Sequence, residues 1–272
     1  MKMQPRTRTL ALTPVLATVL FLSAVAGPVD VAESKSFNLI SLDQEWSMRE
    51  DLHAQVSREA RLVNDRAALA YLNTVGRRIA AQTPMGNRPW DFFIVQDSSL
   101  NAFNLPGGLV YVNSGLIAEA DSLDQLAGVL AHEIGHGAER HGTQLMTRSY
   151  GYGLLASLVL GKNPSQSKQI LAQLVGTGIL TNYSREAERA ADRLGVNYTY
   201  RAGYDPRGML EFFQKMGSLR QRQPSKVEAF FSSHPLTSER VQIVQSEISR
   251  LPRSASLTRD TRNYQQFRSR FR

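Results

Sequence analysis

Residues 41–60 carry apolar side chains at helical spacing among many polar ones, which predicts a polar amphipathic helix. Asn64-Asp65 interrupts that pattern, and Asp65 is placed to cap a second helix in which Ala68, Leu69, Leu72, Val75 and Ile79 recur every three or four residues until Thr83-Pro84. Phe92, Phe93, Ile94 and Val95 form a short apolar run, read as a buried strand. Leu100–Leu105 and Gly108–Asn113 flank Pro106-Gly107, the pattern of two strands joined by a tight turn. Ser122-Leu123-Asp124-Gln125 reads as a capping box opening a helix with the apolar face Leu123, Leu126, Val129, Leu130 and Ile134. Residues 150–160 and 170–180 are apolar, separated by a polar stretch. Each is shorter than the ~20 residues a membrane span needs. They read either as two core helices or as a hairpin over a cleft. Ser184 caps a further helix, Asp205-Pro206 opens another, and Thr237–Arg250 forms a last amphipathic one. There is no internal repeat.

The first 26 residues change the picture at one end. Lys2, Arg6 and Arg8 precede a mostly apolar run from Leu10 to Val25, and Ala24-Val25-Ala26 has the small-x-small form of a cleavage site. We read residues 1–26 as a signal peptide and expect a periplasmic product. Without them the net charge of +8 falls to +5, and residues 250–272 alone hold seven arginines and one aspartate. The remaining body is near neutral, so the basic balance belongs to the chain's ends. It gives little reason to expect nucleic-acid binding; a basic tail over 251–272 suits an anionic surface or an acidic partner. The chain has no cysteine, which excludes disulfides and thiolate metal sites.

The densest candidate chemistry is His132-Glu133-Ile134-Gly135-His136. On a helix, positions four apart share a face, so two imidazoles can grip one Zn²⁺ while Glu133 lies beside an activated water. A third protein ligand is then required. In the class that continues Gly-x-x-His, the ligand would fall ten residues after His132, but that position is Gly142, and Glu139 replaces the needed glycine. His141 lies five residues beyond His136. While the helix continues it points ~140° away, as a structural or surface histidine would. The remaining option is an acid from a later helix. Glu188 and Asp192 are four apart among Ala187, Ala190 and Ala191, whose small side chains permit close helix packing. Glu188 as ligand, with Asp192 accepting from a ligand histidine, is a coherent arrangement. The pair also suits a solvated face. His53, on the polar first helix, is expected to be exposed.

Glu188 within Ser-Arg-x-x-Glu-x-x-x-Asp, downstream of the histidine pair, resembles the HtpX-like zinc metallopeptidases, relatives of the CAAX prenyl proteases. So do Leu62–Asp65, Asn101–Gly108 and His234-Pro235. The resemblance covers most of residues 27–250 and is nearest the soluble periplasmic, BepA-like branch. Only 38 residues follow His234, so functions conferred by that branch's long helical repeats are not implied.

The resemblance implies an α+β fold, a mainly helical zincin-type domain with a small sheet whose edge strand borders the cleft. It implies one Zn²⁺ held by His132, His136 and Glu188, with Glu133 as base and Asp192 supporting a ligand. Asn101 and Ala102 would bind an extended substrate on the edge strand. His234 would sit near the metal, as an oxyanion donor or as an occupant of the open metal position. The expected function is a zinc endopeptidase acting on exported, unfolded or misassembled envelope proteins, in contact with outer-membrane assembly. The rival is a chaperone-like binding protein whose zinc site is structural or closed.

Overall fold

The computed structural model describes residues 38–149, 183–254 and 256–272. The expected signal peptide and the apolar runs at 150–160 and 170–180 lie outside these residues. Among the described residues no helix is long and apolar enough to cross a membrane.

Three strands form the sheet: β1 (Asp91–Val95), β2 (Ala102–Leu105) and β3 (Leu109–Asn113), in the order β1-β3-β2. β1 runs parallel to β3, and β2 runs antiparallel to it. Between β2 and β3, Gly107 and Gly108 both adopt positive φ (86° and 74°), which glycine tolerates without a Cβ clash. Side chains alternate across the sheet. Phe92, Ile94, Val110 and Val112 enter the main core, whereas Val95, Leu105, Leu109 and Tyr111 enter a second cluster with Leu52 and Val56.

That second cluster lies under α1 (Leu42–Ser47) and α2 (Arg49–Glu59). The single helix expected over 41–60 is thus two, divided at Met48. His53 is half-buried rather than exposed: it stacks on Phe93 at 4.3 Å between ring centroids, and its Nδ1 lies 2.9 Å from the Tyr111 hydroxyl.

The other face packs on α3 (Arg66–Ala80) and α5 (Leu123–Ala138). Asp65 caps α3 as expected, accepting from the Ala67 and Ala68 N–H groups. The capping box at Ser122 does not form: the Ser122 hydroxyl donates to Asp124 instead, and the Gln125 side chain accepts from the Asp121 N–H. A short α4 (Ser114–Glu119) precedes α5, and residues 141–149 are helical (α6).

On α5 pack α7 (Arg185–Arg201) and α8 (Arg207–Arg222); α9 (Pro224–Ser233) packs on α8, and α10 (Ser238–Arg250) on α7 and α8. A Cβ at Gly128 of α5 would lie 2.7 Å from the Met209 Cβ and 2.8 Å from its Cα. We expect Gly128→Ala to push α5 and α8 apart at a cost of about 1–3 kcal/mol. Urea unfolding checks this; an unchanged midpoint would mean the two helices are not held in register here.

The basic segment after Leu251 folds back on the body. α11 (Arg262–Arg268) buries Tyr264, whose hydroxyl donates to the Ala120 carbonyl at 2.7 Å. Arg259 pairs with Asp124, Arg268 with Asp121 and Arg270 with Asp65. Three of its six arginines are therefore paired with acids of the body.

Candidate metal centre

α5 is buried along nearly its whole length, because its apolar residues face both the sheet and the surrounding helices. Its second half presents His132, Glu133 and His136 to α7. The Ser184 hydroxyl starts α7 by accepting from the Ala187 N–H at 3.2 Å, which sets Glu188 and Asp192 on one inward face. Close approach needs small residues: a Cβ at Gly135 would stand 3.1 Å from the Ala191 carbonyl, and one at Gly195 3.2 Å from the His132 nitrogen.

Four side chains converge. His132 Nε2 and His136 Nε2 are 3.1 Å apart. Glu188 Oε2 lies 3.5 Å from the first, and Oε1 lies 3.3 Å from the second. His234 adds Nδ1, 3.3 Å from His132 Nε2 and 3.1 Å from Glu188 Oε1. Tetrahedral zinc with bonds of 2.0–2.1 Å places its donor atoms about 3.3 Å apart. The observed separations are of that order with both Glu188 oxygens facing the site, and a buried set of three imidazoles and a carboxylate suits a zinc ion. Imidazole nitrogens and a carboxylate crowded so closely make a poor hydrogen-bond network and a good cation cage. Glu133 Oε1 lies 3.4 Å from His234 Nε2, and Glu133 Oε2 and His234 Nε2 are buried with no hydrogen-bond partner.

A layer of charges surrounds the donors. Asp192 Oδ1 stands 3.0 Å from His132 Nδ1. Arg240 was not foreseen. It is buried and grips Asp192 with two bonds of 2.7 Å, from Nε and Nη2, while Nη1 lies 2.7 Å from Glu188 Oε2. A signal for it existed, since Arg240 shares the inward face of α10 with buried Val244, a position where an arginine needs an acidic partner. Tyr183 was also missed. Its ring stacks on His136 at 4.0 Å, and its hydroxyl donates to Asn104 Oδ1 at 3.0 Å.

These surroundings tune the ionisable groups. Burial alone would depress His132, yet Asp192 and Glu188 beside it outweigh burial and hold its pKa up at about 9. Burial raises the Glu133 carboxyl above the usual carboxylate range. It would raise Glu188 too, but His234 and His136 bring that carboxyl well below the range. His141 is buried, which lowers its pKa to about 4.

The expected substrate residues lie beside the cluster. Ala102 opens β2, an edge strand of the sheet that packs on α5. The Asn101 carbonyl accepts from the Asn113 N–H at 2.9 Å, so it is used within the sheet. By antiparallel alternation the backbone groups of Ala102 and Asn104 point away from β3. The Asn101 side chain instead accepts from the Ser233 hydroxyl at 3.2 Å, next to His234.

Comparison with known proteins agrees with the donor chemistry. A family model described as Peptidase family M48 matches residues 66–248, which include every residue of the cluster. The chain is 33% identical over 214 residues to a beta-barrel assembly-enhancing protease of Yersinia pestis, covering 74% of this chain and 43% of that protein. It is 30% identical over 220 residues to the mitochondrial metalloendopeptidase OMA1 of Schizosaccharomyces pombe (80% and 65%). It is 28% identical over 181 residues to the metalloprotease YcaL of Escherichia coli K12 (64% and 70%). The chain thus spans less than two thirds of the length of the first two relatives.

Proposed function

The chain belongs to peptidase family M48, and on that premise we propose that it is a zinc-dependent endopeptidase of the bacterial envelope, resting in a closed form. The observation that carries this reading is the buried convergence of His132, His136, Glu188 and His234, with the carboxylate of Glu133 alongside.

In this reading His132, His136 and Glu188 hold the zinc. When bound, zinc supplies a Lewis acid that polarises a scissile carbonyl and makes water a competent nucleophile near neutral pH. Glu133 is the general base: it takes the proton from water and passes it to the leaving amine, a role favoured by a carboxyl raised through burial. Asp192, 3.0 Å from His132 Nδ1, orients that ring so that Nε2 faces the metal. Arg240 offsets the charge of Asp192 and Glu188, which would otherwise be two buried anions side by side. The outward N–H and C=O of Ala102 on β2 receive an extended substrate by strand addition, a mode tolerant of side-chain sequence. Asn101 contributes through its side chain, by holding Ser233 and thus the approach to His234.

His234 gives the resting state. A catalytic zinc keeps one position open, and with the metal bound His234 would be placed to occupy it as a fourth donor. His234 follows α9 as its C-cap and precedes Pro235, so a small change in this connection would withdraw the ring. Export rests on the signal-like residues 1–26. Substrates of the envelope, unfolded or misassembled, are suggested by the relatives' description as beta-barrel assembly-enhancing proteases.

The test is metal content together with turnover. We expect one zinc per purified chain and cleavage of casein that 1,10-phenanthroline abolishes and added zinc restores. A chain that retains no zinc after reconstitution and dialysis would sink the reading.

A further inference from the structure

In a straight helix His141 would point away from His136. Here α5 ends at Ala138, and Arg140 adopts φ +60°, the only non-glycine residue with positive φ among the described residues. That left-handed turn redirects the chain into α6 and brings His141 Nδ1 to 2.9 Å from His136 Nδ1, with the rings inclined at 69°.

A left-handed residue other than glycine costs roughly 1–2 kcal/mol and persists where its surroundings enforce it. The enforcement comes from a distant part of the chain. Arg140 Nε donates to the buried Glu45 carboxylate at 2.7 Å, and Nη2 donates to the Ile40 carbonyl. Glu45 also accepts from the Thr143 hydroxyl at 3.2 Å and from the Gly107 N–H. One carboxylate therefore ties α1, the β2–β3 turn and the start of α6 around the kink that delivers His141.

His136 turns Nε2 toward the donor cluster, so as a metal ligand it carries its hydrogen on Nδ1. Stacking on Tyr183 fixes the plane of the ring but not its tautomer. Asp192 Oδ1 lies 3.0 Å from His132 Nδ1, whereas among the described residues the group hydrogen-bonded to His136 Nδ1 is His141.

We propose that His141 is a positioning residue for His136: its Nδ1 accepts the His136 Nδ1–H, which fixes the tautomer and presents Nε2 to the metal. The inference rests on the reading of His136 as a zinc ligand. An imidazole in place of the usual carboxylate or carbonyl makes the two ligand histidines electronically unequal, His132 being the stronger donor.

Two substitutions separate positioning from packing. His141→Leu fills space without an acceptor, whereas His141→Asn places an amide oxygen near the site of Nδ1. In the full chain, zinc affinity is measured by chelator competition, and the visible absorption of the cobalt-substituted protein reports the ligand field. Urea unfolding of the metal-free form reports the fold. We expect His141→Leu to weaken zinc binding by about 10–100-fold and to alter the cobalt spectrum. His141→Asn should recover most of both, whatever the two substitutions do to metal-free stability. Equal losses in the two variants, or none in either, would overturn the inference. His136→Ala serves as the control on the site itself. If it still holds one tightly bound zinc, the ligand assignment fails, and this inference with it.

Discussion

Glu133→Gln is expected to lower casein turnover by about 10²–10⁴-fold, the usual contribution of a positioned acid–base group, while leaving one zinc per chain. The amide has the shape of the carboxylate but cannot accept the proton of water. Glu133 stands outside the set of four converging donors, so metal retention should be unaffected. The substitution also removes a buried, partly unsatisfied carboxylate, so the unfolding midpoint should not fall. Zinc content, urea unfolding and initial rates on casein, measured on one preparation, check all three points. If turnover survives, the base is some other group. If an envelope phenotype also survives, the protein acts by binding rather than by cleavage.

His234→Ala is expected to act in the opposite direction and raise basal casein turnover. A fourth donor within 3.3 Å of His132 Nε2 and Glu188 Oε1 competes with substrate for the same position. If the open form holds 1–10% of the population, within the usual range for a minor state, removing the competitor raises the rate by about 10–100-fold. Zinc affinity should weaken at the same time, because one donor is lost. The rival role for His234, donating to the oxyanion of the tetrahedral intermediate, predicts a loss of about 10²–10³-fold. The sign of the change decides between them: a slower variant would discard the closed resting state.

Local signals in the sequence were read well. Asp65 and Ser184 each begin a helix by accepting its free N–H groups, an interaction spanning two or three residues. The run at 92–95 forms a strand because both faces of the sheet are covered, and the histidine pair sits where helical spacing demands. What was illegible depends on distant partners. Ser122 does not complete its capping box because its hydroxyl donates to Asp124, a buried carboxylate held by the partly exposed Arg259 135 residues away. Arg240 acquires its meaning from Asp192, and Arg140 from Glu45. His141 is the structural histidine that the sequence allowed for, but its direction was illegible for the same reason: the helix that would have carried it away ends at a kink held by a residue 95 positions earlier.

The packing of the basic segment against the start of α5 bears on when the protein can fold. The Leu123 and Asp124 N–H groups, which open the helix carrying His132, donate to the Asp260 side chain and the Arg259 carbonyl. Asp260 is synthesised 137 residues after Leu123. Until it emerges, the first turn of that helix lacks these acceptors, Asp124 lacks its arginine, and the gap filled by Tyr264 stays open. The helix that carries the donor histidines is therefore completed by residues made well over a hundred positions after it begins.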